Sequence, residues 1–233
     1  LILYQPLFNA LILLYTYLPG HDFGIAVIVL TILIRLLLYP LNNEAIKTQK
    51  ILSELQPKIE EIRQKYKEDK EKILKETLEL YKSKNINPFS SILLLLIQLP
   101  ILIALFQVFW KGFESKQMGS LYSFVKKPER IDLFFLGIVN LSIPSPLLAV
   151  LAGVTQFFQT RMVSFKKSST KKYKEKLDFS EIMQRQMLYF IPIITVVILW
   201  KLPSVIGLYW IVTNLFTICQ QYFVFAKKNN IYA

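Results

Sequence analysis

The sequence predicts an all-α integral membrane protein with five transmembrane helices, an N-terminal interfacial amphipathic helix and a cytoplasmic helical hairpin. Three observations carry this. Of 233 residues 53% are apolar and 14% aromatic, and several apolar runs reach 18 residues or more, the length a helix needs to cross about 30 Å of hydrocarbon. The net charge of +12 is gathered in blocks between those runs rather than spread along them. Arg35 alone breaks the segregation, a permanent charge inside the stretch FGIAVIVLTILIRLLLYPL.

Residues 1–20 are apolar, but Gln5, Asn9 and Thr16 fall within about 40° of one another at 100° per residue. Such a polar stripe favours a helix lying in the interface over a spanning one, and Pro19-Gly20 ends it. The first span covers 23–41, closed by Pro40 and by Asn42-Asn43. From 42 to 87 the composition reverses, with eleven basic residues against nine acids, so this is a soluble insertion. Leu52, Leu55, Ile59, Ile62 and Tyr66 recur at spacings of three and four. A second row, Leu74, Thr77, Leu78 and Tyr81, follows a charged break in which Asp69 is placed to cap. The two stripes predict an antiparallel hairpin whose helices cover each other's apolar faces.

Asn87-Pro88 pairs a cap residue with a first-turn proline and opens a second span over 88–110, which carries Gln98, Pro100 and Gln107. Residues 111–145 read as an extracytoplasmic loop; its apolar part, 131–142, is too short to span before Pro144-Ser145-Pro146 and is assigned to the interface. The third span, 146–163, contains Thr155, Gln156 and Gln159. A basic cytoplasmic loop over 164–186 follows, then a fourth span at 187–200, a tight turn, a fifth span at 205–226 and a cytoplasmic tail, 227–233. Five spans place 21 basic residues on one side against six on the other, Arg35 aside, which makes the richer side cytoplasmic, or its organellar equivalent, and the N-terminus external.

A charge at the centre of a bilayer costs about 2.5–3.5 kcal/mol on insertion scales. Arg35 lies six residues before Leu41, about 9 Å of helical rise, which leaves two readings: a snorkelling arginine, or a charge in a water-filled functional cavity. No Asp or Glu lies within any span to pair with it. A single cysteine, Cys219, and a single histidine, His21, exclude an intramolecular disulfide and weigh against a metal site. No phosphate-binding glycine loop or nucleophile motif occurs, so the sequence carries no enzyme signature. Beginning at Leu1 rather than methionine, it reads as a processed or truncated form.

LTILIRLLLYPL around Arg35, LQPKIEEIRQKYKEDKEKILKETLELYKSKNINPF across the hairpin, LLLLIQLPILIALF, LAGVTQFFQ and GLYWIVTNLFTICQQ together resemble the bacterial YidC-type membrane protein insertases, relatives of the Oxa and Alb proteins. The arginine followed by a charged hairpin and then Asn-Pro-Phe is the specific part. The resemblance implies a five-span core around a hydrophilic groove open to cytoplasm and lipid, residence in the bacterial plasma (inner) membrane, and no cofactor, catalytic residue or small-molecule substrate. It assigns to the groove Arg35, Thr31 one turn earlier on the same face, Trp210, and Gln159 with Gln156 as the adjacent choice. Gln98 and Asn214 join them as polar residues inside spans; for each amide, bonding across a helix interface is the plainer role.

The implied partners are nascent membrane proteins, phospholipids, the ribosome, the signal-recognition targeting machinery and the Sec translocon. Lys58, Arg63, Lys65, Lys67, Lys70, Lys72, Lys227 and Lys228 are the candidate contacts to ribosome, targeting factor or lipid. The alternative from another class is a small anion or solute transporter or channel subunit using Arg35 as its binding site. The lack of acidic residues in the spans and of a visible inverted repeat weighs against it.

Overall fold

Helices dominate the computed structural model, which describes residues 3–66, 69–84, 86–87, 90–110, 117–128, 131–163 and 179–229. In chain order these form α1 (Tyr4–Tyr17), α2 (Phe23–Leu37), α3 (Tyr39–Lys65), α4 (Lys70–Ser83) and α5 (Ser90–Trp110). A two-stranded antiparallel hairpin follows, β1 (Phe134–Phe135) with β2 (Val139–Asn140), then α6 (Pro146–Val163), α7 (Phe179–Leu199) and α8 (Ser204–Asn229). Lys67, Pro88, and residues 164–178 of the basic loop lie outside the described residues, as do the side chains of Lys227 and Lys228.

Asp22 opens the helix that carries Arg35, its carboxylate accepting the Ile25 amide at 2.9 Å. The helix breaks at Leu38, and α3 leaves α2 at 70°. Pro40 accounts for the break, since it has no N–H for the Leu36 carbonyl and its ring crowds the preceding turn. It serves the start of α3 rather than the end of α2. The span expected over 23–41 therefore stops at Leu37, and Arg35 falls in the last turn of α2, where the carbonyl end of a helix favours a cation. Among the described residues no single helix is long and apolar enough to cross a bilayer; α2 and α3 qualify only as a pair across their bend.

The polar stripe of α1 does not face water throughout: Gln5 is exposed and Thr16 half-buried, but Asn9 is turned inward. Asn9 is buried, accepting the Tyr122 amide at 2.7 Å and donating to the Ser120 carbonyl at 3.0 Å, which Gln5 also reaches. The stripe binds a loop. Its neighbours on the helix, Phe8, Leu11 and Ile12, are fully buried and join Phe23, Val27, Leu105, Val108 and Leu141 in the main core.

In the hairpin of α3 and α4, Asp69 caps α4 through the Lys72 amide at 3.0 Å. The predicted mutual cover is incomplete, however, because Leu74 and Leu78 remain 62% and 42% exposed. Leu55 and Ile59 of α3 are buried, and α3 packs on α5 and α8 as well as on α4. Hydrogen bonding from the Lys72 amide holds the Asp69 carboxyl below its usual range. The cap is therefore intact above the ordinary aspartate pKa of about 4 and is lost as pH falls through the depressed folded value. Amide exchange at Lys72, corrected for intrinsic rate, should accelerate across that acid window, and Asp69→Ala should produce the same acceleration at neutral pH.

The apolar stretch 131–142 contains the β-hairpin, which the sequence reading left without regular structure. Its turn places Leu136 at φ +51° and Gly137 at φ +67°. A left-handed leucine costs about 1–2 kcal/mol. Two clamps hold the hairpin: the Leu136 amide donates to Asp22 Oδ2 at 2.6 Å, and the Ser204 and Val205 amides donate to the Ile143 and Leu141 carbonyls at 3.0 and 3.1 Å. Phe135 lies against Gly24, where any Cβ would collide with its ring. The third span expected at 146–163 coincides with α6. In contrast, α7 begins at Phe179, taking in residues assigned to the basic loop, and α8 runs to Asn229, three residues into the expected tail.

Candidate functional site

Arg35 is 8% exposed on the face of α2 that packs against α8. Its guanidinium lies beside Tyr209 of α8, whose hydroxyl accepts a hydrogen bond from Gln98 Nε2 of α5 at 2.6 Å. Three helices thus meet on one phenol. A guanidinium carries five N–H donors, so a single phenol beside it can satisfy the cation only in part. Among the described residues no carboxylate is paired with it.

Thr31 is buried one turn before Arg35, and its hydroxyl donates to the Val27 carbonyl at 2.7 Å. That bond lies within α2 and leaves the oxygen's acceptor side open. The next layer joins α8 to α6. Trp210 Nε1 donates to Gln156 Oε1 at 3.2 Å, while Asn214 Nδ2 reaches Thr155 Oγ1 at 3.1 Å and the Ala152 carbonyl at 3.3 Å. Gln156 is therefore the glutamine that meets Trp210, and Gln159 stands half-buried without a hydrogen bond among the described residues. Beside this layer lies a cleft of about 460 Å³ between α6 and α8, walled by Phe158, Met162, Leu215 and Ile218 with Thr155 and Arg161 at its polar points.

A third layer sits where α3 begins. Gln220 Nε2 donates to the Tyr39 carbonyl at 3.0 Å and to Asn43 Oδ1 at 2.6 Å. Asn42 and Gln221 are buried there or nearby on the same two helices, and neither amide finds a partner among the described residues. Buried amides in this condition are ordinarily met by water or by a polar ligand. Sequence reasoning missed Tyr209, Gln220, Gln221 and Asn42. The adjacent amides of the Gln220-Gln221 pair, close to the end of a span, were the available signal for two of them.

Of the hairpin cations, Lys58, Arg63, Lys65, Lys70 and Lys72 are exposed. Arg63 and Lys72 form surface pairs with Glu60 at 3.9 Å and Asp69 at 3.5 Å, and Lys65 lies over the Tyr66 ring at 5.1 Å. Exposed pairs of this kind contribute about 0–1 kcal/mol and leave the charges available to larger anionic surfaces. Among the described residues no cluster of His, Cys, Asp and Glu is arranged to hold a metal ion.

A family model described as 60Kd inner membrane protein matches residues 13–230. The membrane protein insertase YidC of Fusobacterium nucleatum is 33% identical over 206 residues, covering 88% of this chain and 87% of its own length. That of Syntrophus aciditrophicus is 32% identical over 222 residues, covering 94% of this chain but 36% of its own length. That of Endomicrobium trichonymphae is 32% identical over 217 residues, with 93% and 38% covered. The chain thus spans little more than a third of the latter two relatives. A crystal structure of an active YidC insertase with its first transmembrane domain resolved is similar with a TM-score of 0.61 at 27% identity, over 94% of this chain and 46% of that one.

Proposed function

Since the chain belongs to the 60Kd inner membrane protein family, in which its curated relatives are YidC membrane protein insertases, we propose that it inserts hydrophobic segments of newly made proteins into the lipid bilayer and assists their folding. The observation that carries the reading is the enclosed guanidinium of Arg35, which lies beside the Tyr209 phenol with no carboxylate paired to it among the described residues. In this reading five spans surround a hydrophilic groove open to the cytoplasm, with the N-terminus outside and the C-terminus and charged hairpin inside. α2, α5, α6, α7 and α8 are those spans, and α1 lies in the outer interface.

An incoming chain has to carry polar groups across a layer in which each unsatisfied one costs several kcal/mol. Polar side chains at Arg35, Thr31, Gln98, Gln156, Trp210 and Asn214, with the water they hold, shorten that layer. Arg35 attracts the acidic or polar tail of the substrate, while the apolar segment leaves to lipid past the third and fifth spans. The cleft between α6 and α8 supports that exit, because its walls are chiefly apolar. Burial of the substrate's apolar surface supplies the free energy, so no nucleotide, cofactor or covalent step is needed. The exposed hairpin lysines are suited to the ribosome, to targeting factors and to anionic lipid, and a translocon is a further candidate partner.

A photo-crosslinking aromatic residue in place of Trp210 tests the reading directly. During translation of a ribosome-bound membrane protein it is expected to capture the nascent apolar segment. Capture from a lipid-facing control such as Leu147 but never from 210 would remove the groove from the mechanism.

A further inference from the structure

The turn Phe135-Leu136-Gly137-Ile138 has positive φ at both central residues and closes through the Ile138 amide on the Phe135 carbonyl at 3.0 Å. Asn-Gly or Asp-Gly meets this geometry with little strain, because a short polar side chain tolerates the left-handed region. Leucine does not. Its side chain is moreover 60% exposed, beside Ile138 at 79% and Phe134 at 42%. In water a strained backbone and a solvated apolar tip are both unfavourable; in hydrocarbon the second becomes favourable.

The surroundings are apolar as well. From Leu133 to Thr160 the sequence contains no charged residue and no histidine. The nearest carboxylates are already engaged, Asp132 by the Phe134 amide at 3.0 Å and Asp22 by the Ile25 and Leu136 amides. Further along the chain Ile143, and Leu147 on α6, a helix assigned to lipid contact, are also exposed.

We infer that the Leu136–Ile138 tip is a wedge seated in the acyl-chain boundary of the outer leaflet, with phospholipid hydrocarbon as its occupant. The assignment to the outer leaflet rests on the orientation proposed above. The clamps give the wedge a task. Asp22 ties it to the start of α2, and the Ser204 and Val205 amides tie it to the start of α8. These are the two helices that enclose Arg35, which lies 13 residues beyond Asp22, about 20 Å of helical rise. A tip fixed at the outer boundary sets the depth at which the guanidinium sits.

The test uses a Cys219→Ser background, Ile138→Cys carrying a nitroxide, and phosphatidylethanolamine/phosphatidylglycerol nanodiscs. Collision with apolar oxygen is expected to exceed collision with a water-soluble nickel chelate severalfold at 138, and the order to reverse at Lys127→Cys in the neighbouring loop. Nickel access at 138 equal to that at 127 would overturn the wedge, and so would exclusion of both reagents, which signals protein cover. Leu136→Asn, which relieves the turn, is expected to raise nickel access at 138; an unchanged value would overturn the leucine's part in seating it. Crosslinking from position 210 reads the insertion proposal independently of these collisions, so the two fail separately.

Discussion

Arg35→Ala is expected to lower insertion of substrates with acidic translocated tails by about ten- to a hundredfold, the range set by 1.5–3 kcal/mol for a hydrogen bond to a charged group. Substrates with short uncharged tails should be much less affected. Arg35→Lys retains the charge but loses the planar fork, so an intermediate rate is expected. The fold should survive, because the substitution removes a buried charge that Tyr209 satisfies only in part. An unchanged thermal midpoint alongside lost insertion in proteoliposomes identifies a functional residue; full activity of the alanine variant would sink the receptor role.

Gly153→Leu acts in the opposite way, through packing alone. A Cβ at Gly153 would strike the Val196 side chain and stand 3.1 Å from the Pro192 carbonyl, so α6 and α7 meet here because glycine lets them. Overpacking in a filled interface typically costs about 1–3 kcal/mol, and a leucine beside backbone belongs at or above the top of that range. The expected result is a lowered thermal midpoint and reduced accumulation in the membrane. Gly153→Ala should be milder and should be rescued in part by Val196→Ala, which deletes the struck methyl groups. The leucine variant should resist rescue, because the Pro192 carbonyl cannot be trimmed.

Much of the architecture was legible because its signals are local. The Asp69 cap and the α6 boundaries needed only neighbouring residues, and Arg35 stood out against its apolar run. What escaped depends on partners distant in sequence. Leu55 and Ile59 display a coiled-coil spacing, yet α3 packs on α5 and α8 as well as on α4, and Leu74 and Leu78 stay exposed. Leu136-Gly137 lacks the asparagine or aspartate that announces a tight hairpin, so β1 and β2 read as a plain apolar segment. Tyr209 is overshadowed by Trp210, although adjacent helical residues point about 100° apart and therefore address different neighbours. One turns to Arg35 and Gln98, the other to Gln156.

The break at Leu38 settles how the second half of the bent pair is braced. α3 continues through Pro57 for 27 residues, about 40 Å. It is held at its base, where Gln220 donates to the Tyr39 carbonyl and to Asn43, and again further out, where Ala45, Ile46, Leu55 and Ile59 are buried. The far end beside α4 is thus carried on a strut with several supports, and the support at its base is on the helix that carries Tyr209, Trp210 and Asn214.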